Sequence, residues 1–430
     1  MPDIFENFFN DFNKNLKDYY SLEKLDPAYQ VYFNPNNSIK IGDSLEKIYS
    51  TFEKEEKGSS DKLKRFIKKA EENYKIAVKD LLPVMPGISP LELVSLDTIK
   101  KIRYFFTSIK KEVIKEFNNP KLSEILQFPV LFLGAKPSKT PAFYNFMNFA
   151  DFGLGTWHPK KGMYSVVKGI VKLAKELGVE FYENKNAHKI LVENNKTRGI
   201  MVNNVIYEAD VILSGADYHH TETLLDLKYR SYSEKFWSKK VFAPSALLFF
   251  IGFNKKIKNV SHHTLFFDGN FEEHAKSIYD KPKWPTNPYF YGSFPSITDE
   301  LMAPNGKESC VILIPLAPGI KDSNNLREKY FNIIIERMER LTKQPLSKDI
   351  LFKKSYCLNN FIEDYNSYKG NAYGLANTLM QTAFLRPKLI SKKVKNLYFT
   401  GQLTVPGPGV PPALISGKLV SDIINKNHEV

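Results

Sequence analysis

The sequence predicts an α/β protein of two or three domains, and three features of the chain indicate this fold class. Its 430 residues are more than one simple hydrophobic core usually takes up. Residues 160–178 have the apolar spacing of an amphipathic helix, and short apolar segments typical of strands follow directly. Near the C-terminus, a strand-like segment over 394–401 leads through a glycine- and proline-rich turn into a helix. Helices and strands therefore alternate along the chain, as they do in α/β folds.

The N-terminal third predicts one strand followed by a helical region. The strand is 26–33 (DPAYQVYF), which is rich in aromatic residues and is closed by Asn-Pro-Asn-Asn. From about Ser44 to Phe128 the chain is rich in lysine and predicts helices, with a break over 81–90. After the break, spacings of three and four predict the apolar face of one helix. The residues of this face are Ile99, Ile102, Phe106, Ile109, Val113 and Phe117.

This predicted helix is strongly basic. Residues 100–116 contain six Lys or Arg and two Glu, and six minus two gives a net charge of +4. A basic amphipathic helix of this kind can lie in a membrane interface. A helix that packs its apolar face on the protein and keeps its lysines in water shows the same pattern, so both interpretations stay open.

Residues 160–178 predict a helix that ends at Gly178, a residue typical of a C-terminal cap. Its apolar stripe consists of Met163, Val166, Val167, Ile170, Val171, Ala174 and Leu177. Strands are predicted at 179–182 (VEFY), 188–194, 198–202, 205–209 and 210–214, which together indicate a β-meander. A second β-rich region is predicted over 242–316.

Composition limits the class of protein. A net charge of +14 attracts polyanions such as nucleic acid or anionic lipid, although solvated lysine accounts for it equally well. No nucleic-acid-binding module is recognisable, so nucleic acid is not an expected partner. The two cysteines, Cys310 and Cys357, give no metal spacing and favour a reducing compartment. We expect no signal peptide, and the longest apolar stretch, 246–253, is too short to span a bilayer.

The C-terminal turn is the most specific candidate for a ligand site. A predicted strand ends at Gly401, Gly407 and Gly409 shape the turn, and Pro411 and Pro412 lie where a helix begins. Glycine lets a backbone approach a ligand closely, and a helix N-terminus offers free N–H groups to an electron-rich partner. An ordinary strand–turn–helix connection has the same pattern, so the ligand remains one of two interpretations.

A second candidate is 211–221 (VILSGADYHHT), where a predicted buried strand ends just before Asp217. Ligands of open α/β sheets lie beyond the carboxyl ends of strands, which favours a binding role for Asp217. The alternative is that Asp217 caps a helix. The pairs His219–His220 and His262–His263 have no third ligand at metal spacing, so we expect packing roles and no metal.

Several segments together resemble the bacterial phytoene desaturases, which are carotenoid desaturases of the flavin amine-oxidase superfamily. They are 1–9, 162–193, 214–221, 244–257, 262–267, 292–318 and 401–417, all in the family's order. The resemblance implies a Rossmann-like FAD-binding domain of the amine-oxidase type, which we expect to be incomplete at its N-terminus, a β-rich substrate domain and a helical membrane-facing subdomain. The implied divisions are 1–20, 158–222 and 394–430 for the FAD-binding domain, 21–43, 129–157 and 223–393 for the substrate domain, and 44–128 for the helical subdomain.

The resemblance also implies a function. FAD would desaturate a C40 or C30 carotenoid precursor such as phytoene, with oxygen or a quinone as the final electron acceptor. The protein would be cytoplasmic and would lie on the inner face of the cell membrane. Asp151 takes the position of the family's acid/base residue, although it could also be a cap before Gly153. The residues implied to contact the cofactor are Lys189 (through the nearby backbone), Asp217, Gly401, Gly407, Gly409, Val410 and Pro411.

One expected motif is missing. Binding of a dinucleotide in this family needs G-x-G-x-x-G between a strand and a helix. The two G-x-G pairs, at 153–155 and 407–409, have His158 and Pro412 where the third glycine belongs. Three explanations stay open: a start codon placed too late, a fragment that pairs with a separate N-terminal piece, or a flavin-less paralogue that binds polyenes, lipids or partners. The first is the preferred expectation.

Overall fold

The computed structural model describes residues 1–89 and 102–428, and its strands form one large sheet and three small ones. The strands are β1 (Leu22–Lys24), β2 (Tyr29–Asn34), β3 (Asn37–Ile41), β4 (Trp157–Pro159), β5 (Lys189–Glu193), β6 (Lys196–Val202), β7 (Val205–Glu208), β8 (Ile212–Ser214), β9 (Ser245–Phe253), β10 (His263–Phe266), β11 (Phe290–Ser293), β12 (Glu308–Leu316), β13 (Ile350–Tyr356) and β14 (Leu397–Phe399).

Among the described residues, the α-helices of five residues or more pack around these sheets. They are α1 (Pro2–Asn10), α2 (Leu45–Glu55), α3 (Ser59–Tyr74), α4 (Ile102–Phe106), α5 (Ile109–Glu116), α6 (Pro120–Gln127), α7 (Tyr164–Glu176), α8 (Tyr218–Thr223), α9 (Glu234–Ser238), α10 (Phe271–Tyr279), α11 (Asn324–Thr342), α12 (Leu358–Tyr365) and α13 (Val410–His428).

The large sheet has the strand order β13-β9-β12-β11-β10-β2-β3 and is antiparallel except for the parallel pair β10–β2. Buried and half-buried residues alternate along β12, as expected for a strand whose two faces meet different surroundings. Its buried face, including Ile312 and Ile314, shares one apolar core with Phe331 and Met338 of α11. We call this cluster the sheet core. The opposite face carries Leu313 and Pro315 to a large cavity.

Two of the small sheets contain the strands β5 to β8 and β14. Strands β5, β6 and β7 form the predicted antiparallel meander, and β8 pairs in parallel with β14. The segment 210–214 does contain a strand, but the prediction that it is buried is wrong. Leu213 is 45% exposed, because β8 has a partner strand on one side only among the described residues. The predicted domain boundaries stay a prediction.

Helix α7 confirms the predicted helix and its cap. Gly178 has φ +84°, its N–H donates to Lys175, and the N–H of Val179 donates to Ala174, which closes a Schellman motif. The predicted apolar stripe is only partly right. Val166 is buried, and so is Leu173, which the predicted stripe left out. Ile170, Val171 and Ala174 are half-buried. Several apolar side chains of this helix and of the residues next to its ends are exposed, and we call them the open face: Met163, Val167, Leu177, Val179 and Phe181.

The predicted strand 179–182 is wrong, because these residues form no strand. A strand needs a neighbour for its backbone N–H and C=O groups, and no described segment pairs with this one. The side chains of Val179, Phe181 and Tyr182 are about half exposed. An apolar pattern alone is therefore not enough to form a strand.

The single basic helix predicted over 99–117 is also wrong. Its first residues, 99–101, lie outside the described residues, and the rest forms two helices, α4 and α5. The first helix ends at Phe106. Ser108 caps the second helix, because its side chain accepts a hydrogen bond from the N–H of Lys111. Ile109, Val113 and Phe117 are buried in a core, whereas Phe106 is 77% exposed. Among the described residues, no helix is long and apolar enough to cross a membrane.

Candidate active site

A cavity of about 620 Å³ lies between the large sheet and the helical part of the chain. This volume falls within the usual range for ligand pockets. Its wall is mostly apolar and aromatic, and β10, β11 and β12 each contribute to it. Prominent aromatic lining residues are Tyr29, Phe128, Trp157, Phe267, Tyr291 and Tyr373. Such a surface accommodates a long hydrophobic ligand.

Asp151 brings a carboxylate to this apolar wall. It lies in a short π-helical turn, Phe149–Gly153, and its side chain faces the cavity. The hydroxyl of Tyr29 donates to Asp151 Oδ2 at 2.9 Å, so the side chain is oriented from a residue of β2. Burial raises the pKa of Asp151 to about 6, against the hydrogen bond from Tyr29 and the charge of the chain's amino group. The interpretation of Asp151 as a helix cap has no support here.

The C-terminal turn reaches the same cavity, because Pro411 lines it together with Asp151. The turn begins after β14 and leads into α13, which has prolines at its second and third positions as predicted. Gly401, Gly407 and Gly409 all have positive φ, at 97°, 134° and 111°. The geometry thus brings together two of the predicted site elements that are 260 residues apart in sequence, since 411 minus 151 is 260.

The turn also has room for a ligand that approaches the backbone. The parallel strands β8 and β14 end side by side, and the N–H of Thr400 donates to the carbonyl of Ser214. A Cβ built on Gly401 would meet no atom within 4 Å, and one built on Gly215 would meet only Thr400, at 3.8 Å. Open space beyond the carboxyl ends of parallel strands is where α/β proteins hold nucleotide cofactors. These residues therefore fit a flavin cofactor.

Asp217 and Lys189 lie away from the cavity and have protein partners. The Asp217 carboxylate caps α8 by accepting from the N–H of His220, and it also accepts from the N–H of Tyr368 and from Asn371 Nδ2. Lys189 Nζ lies 3.4 Å from Asp226. Their predicted position along the nucleotide stays a prediction, and a structural role for Asp217 is established by its three hydrogen bonds.

Several polar side chains of the cavity wall were not predicted from the sequence. His263 accepts or donates a 2.6 Å hydrogen bond to the hydroxyl of Tyr291, and burial lowers the pKa of His263 to about 4. His274 is neutral as well, because burial lowers its pKa to about 4. Its Nδ1 accepts from the N–H of Tyr289, and its Nε2 donates to the carbonyl of Pro315. All these residues line the cavity. The one sequence signal among them was the His262–His263 pair.

Within the described parts of the chain, no three His, Cys, Asp or Glu side chains are arranged to hold a metal ion. His262 and His263 instead lie in ring contact with each other, and His262 also contacts the ring of His158. His219 lies 3.0 Å from Glu234. The histidine pairs therefore serve packing and local hydrogen bonding.

Comparison with known proteins identifies the family. Residues 88–425 match the family described as flavin containing amine oxidoreductase. A carotenoid 3,4-desaturase from Haloarcula japonica is 35% identical over 99% of this chain and 86% of its own length. A zeta-carotene-forming phytoene desaturase from Myxococcus xanthus is 28% identical over 98% of this chain and 82% of its own.

Solved structures show the same fold. A redesigned putrescine oxidase, a triple mutant, superposes with a TM-score of 0.59 at 11% identity, over 99% of this chain and 86% of its own. An oxidoreductase from Methanosarcina mazei gives a TM-score of 0.51 at 16% identity, over 77% of this chain and 74% of its own.

The open glycine turn at the strand ends, the shared cavity and these matches define a class: the chain belongs to the flavin-containing amine oxidoreductases, and its cofactor is FAD. Within that family it is an FAD oxidoreductase of the carotenoid desaturase type, with a hydrophobic polyene as substrate. The expectation from the resemblance is thus confirmed, and the alternative of a flavin-less binding protein is not favoured.

Proposed function

We propose that the cavity holds a linear C30 or C40 carotenoid precursor and that Asp151 takes the proton released in its desaturation. The observation that carries this proposal is the position of one carboxylate in an apolar wall, shared with the helix end at Pro411. A C40 or C30 substrate is supported by the names of the relatives, which include a 4,4'-diapophytoene desaturase from Staphylococcus haemolyticus.

The chemistry divides between the cofactor and the chain. When bound, FAD supplies the oxidant that takes a hydride from a carbon next to the polyene. The neighbouring carbon must then lose a proton for the C=C bond to form, and the Asp151 carboxylate accepts it. The Tyr29 hydroxyl holds Asp151 Oδ2 in place at 2.9 Å. Because burial raises the pKa of Asp151 to about 6, the group is ionised at neutral pH and still basic enough to accept a proton.

The cofactor contacts follow the same division. Backbone groups at Gly401, Gly407, Gly409, Val410 and Pro411 would hold the flavin, because this turn is open toward the cavity. The nucleotide side would run past Asp217 and the backbone near Lys189. Electrons would leave the reduced cofactor to oxygen or a quinone, the acceptors that dissolve where a carotenoid does.

A membrane surface is the source of such a substrate, and three segments offer an apolar surface to it. Val84, Phe106 and Met380 are 69%, 77% and 72% exposed. Their segments are adjacent, since Phe105 stacks on Phe143, Tyr144 bonds Thr382, and Gly87 approaches the carbonyl of Ala383. Large exposed apolar side chains on neighbouring segments mark an interaction site. The protein would therefore lie on the inner face of the cell membrane.

Asp151→Asn tests the catalytic role. We expect the FAD-loaded variant to keep its flavin but to be reduced by phytoene in liposomes ~10²–10⁴-fold more slowly, as for loss of a general base. In the wild-type protein, the rate should rise with pH through about 6 and then level off. Anaerobic stopped-flow absorbance of the flavin measures both.

Glu124→Gln is the matched control. Burial also raises the pKa of Glu124, and the Tyr289 hydroxyl donates to it at 3.1 Å, but Glu124 is not among the described cavity-lining residues. Its rate should match wild type. A normal rate for Asp151→Asn would remove Asp151 from the reaction, and flavin-loaded wild-type protein that phytoene does not reduce would refute the proposed function as a whole.

The membrane surface has its own test. Changing Val84, Phe106 and Met380 to serine should lower co-sedimentation with anionic liposomes. The matched control changes Leu351 and Phe352 to serine, because these are 50% and 60% exposed on the edge strand β13. Equal losses in both variants would contradict a membrane surface at the first site.

A further inference from the structure

Arg386 is a buried cation that packs directly behind the C-terminal turn. Its side chain is only 2% exposed, and its guanidinium makes five hydrogen bonds. The acceptors are the carbonyls of Leu375, Gln381, Gln402 and Thr404 and the Oδ1 of Asn377. Every one of these acceptors is neutral.

The positive charge is therefore solvated by dipoles alone. Among the described residues, no carboxylate forms an ion pair with Arg386, and burial lowers its pKa to about 10. Buried charges in proteins are almost always paired, since removing an ion from water costs free energy that an opposite charge must offset. An unpaired buried cation of this kind would stabilise a negative charge that arises nearby.

The position of the guanidinium indicates where that charge arises. Gln402 and Thr404 belong to the turn that follows β14. A Cβ built on Gly407 would lie 3.4 Å from the central carbon of the guanidinium and 2.9 Å from Asn377 Oδ1. Only glycine leaves room for this contact. Four residues later, Pro411 lines the cavity, so the cation is bonded to the same turn that reaches the cavity wall.

We propose that Arg386, besides bracing the turn, stabilises the negative charge that the flavin ring gains on reduction and so raises its midpoint potential. This inference rests on the proposed function, because it assigns the turn to the flavin. In a water-excluded interior, a charge acts over longer distances than in solvent. A cation held rigidly by five bonds needs no reorganisation when the ring is reduced, which is how preorganised groups favour a charged state.

Asn377→Asp is the sharpest test, because it adds a carboxylate at the position where Oδ1 now accepts from Arg386 Nη1 at 2.6 Å. The shape and the hydrogen bond are retained, while the charge of Arg386 is neutralised. We expect the preference of the holoprotein for reduced flavin to fall at least tenfold, or about 30 mV for a two-electron couple. Equilibration with reference dyes measures this potential.

The matched control is Asn194→Asp, the same change in an exposed turn at positive φ. It should leave the potential unchanged. In the flavin-free chain, Asn377→Asp should raise the midpoint of thermal unfolding, since it pairs an unpaired buried cation. A role limited to bracing the turn would leave the potential at the wild-type value.

The possible outcomes separate this inference from the proposed function. An unchanged potential in a yellow Asn377→Asp protein would overturn the role of Arg386 and leave desaturation intact. A lower unfolding midpoint in the flavin-free variant would show that the cation is already neutralised and would overturn it equally. Failure of phytoene to reduce the flavin-loaded wild-type protein would instead refute the proposed function. Arg386→Lys, which keeps the charge but loses bonds, should retain more of the potential than Arg386→Met.

Discussion

The sheet core and the open face are built from similar residues but are packed very differently. In the sheet core, Phe249, Phe253 and Ile312 are at most 2% exposed. On the open face, Val167 and Phe181 are 51% and 45% exposed. The first region is stabilised by apolar burial. The second lies beside the cap of α7, where the N–H groups of Gly178 and Val179 donate to Lys175 and Ala174.

The difference shows that an apolar stripe predicts a helix or strand but does not predict which of its apolar side chains other residues bury. Helix α7 forms because its buried side packs on Phe9 and Tyr20 of the N-terminal segment. Its other apolar side contacts solvent. The consequence is that equal substitutions in the two regions should have unequal effects, which can be measured.

The largest expected effect is in the sheet core. Phe253→Ala removes a fully buried ring from β9 and should lower the free energy of unfolding by about 3–5 kcal/mol. Phe181→Ala, the same change on the open face, should cost less than about 0.5 kcal/mol. Urea unfolding followed by fluorescence compares them. Similar losses would show that the open face is covered in solution.

Asp151→Asn should have the opposite sign. The folded pKa of about 6 lies above the unfolded value of 3.8, so protonated Asp151 stabilises the fold at low pH, and this stability is lost as pH rises through about 6. The difference between the folded and unfolded pKa of Asp151 corresponds to about 3 kcal/mol in the free energy of unfolding. The variant should therefore be more stable than wild type at pH 8 and similar below pH 4. A gap that does not change between these pH values would contradict the raised pKa.

Asp217→Ala should cost about 1–2 kcal/mol, because it removes a helix cap and two further bonds, to Tyr368 and Asn371. Asp217→Asn keeps an oxygen acceptor and should cost less. If Asp217 also lies along the nucleotide, FAD affinity measured by fluorescence quenching should fall in both variants. A loss of stability without any loss of affinity would limit Asp217 to its structural role.

The smallest effect belongs to Val167→Lys on the open face, which should change stability by less than about 0.5 kcal/mol. It should reduce binding of the dye ANS, since it places a charge in an exposed apolar cluster. Val166→Lys, one residue away but buried, is the contrasting variant and should be strongly destabilising. Unchanged dye binding in Val167→Lys would show that the open face does not bind the dye.

Periodicity predicted most elements correctly, and particular residues show where it stopped. Strands β9 and β12 and helices α7 and α13 follow from local patterns. The break between α4 and α5 had a local signal, Thr107-Ser108 inside a helical pattern, which the regular apolar spacing outweighed. The failure at 179–182 concerns a neighbour, which no local pattern describes.

The site was predictable only in part. Asp151 came from resemblance and the glycine turn from its strand–turn–helix pattern, and their meeting in one cavity requires the fold. Tyr29 is 122 residues from Asp151, and nothing near Tyr29 marks it as a partner. Arg386 sits in an ordinary segment, FLRPK, and its significance comes wholly from the burial of its charge.

Strand β12 has a consequence for how substrate range can change. Its alternate side chains belong to two independent surfaces, so Leu313 and Pro315 can vary to reshape the cavity while Ile312 and Ile314 hold the fold. Insertion of a single residue would exchange the two sets and destroy both. Substitutions at the cavity-facing positions of this strand can therefore change substrate selectivity with little change in the free energy of unfolding.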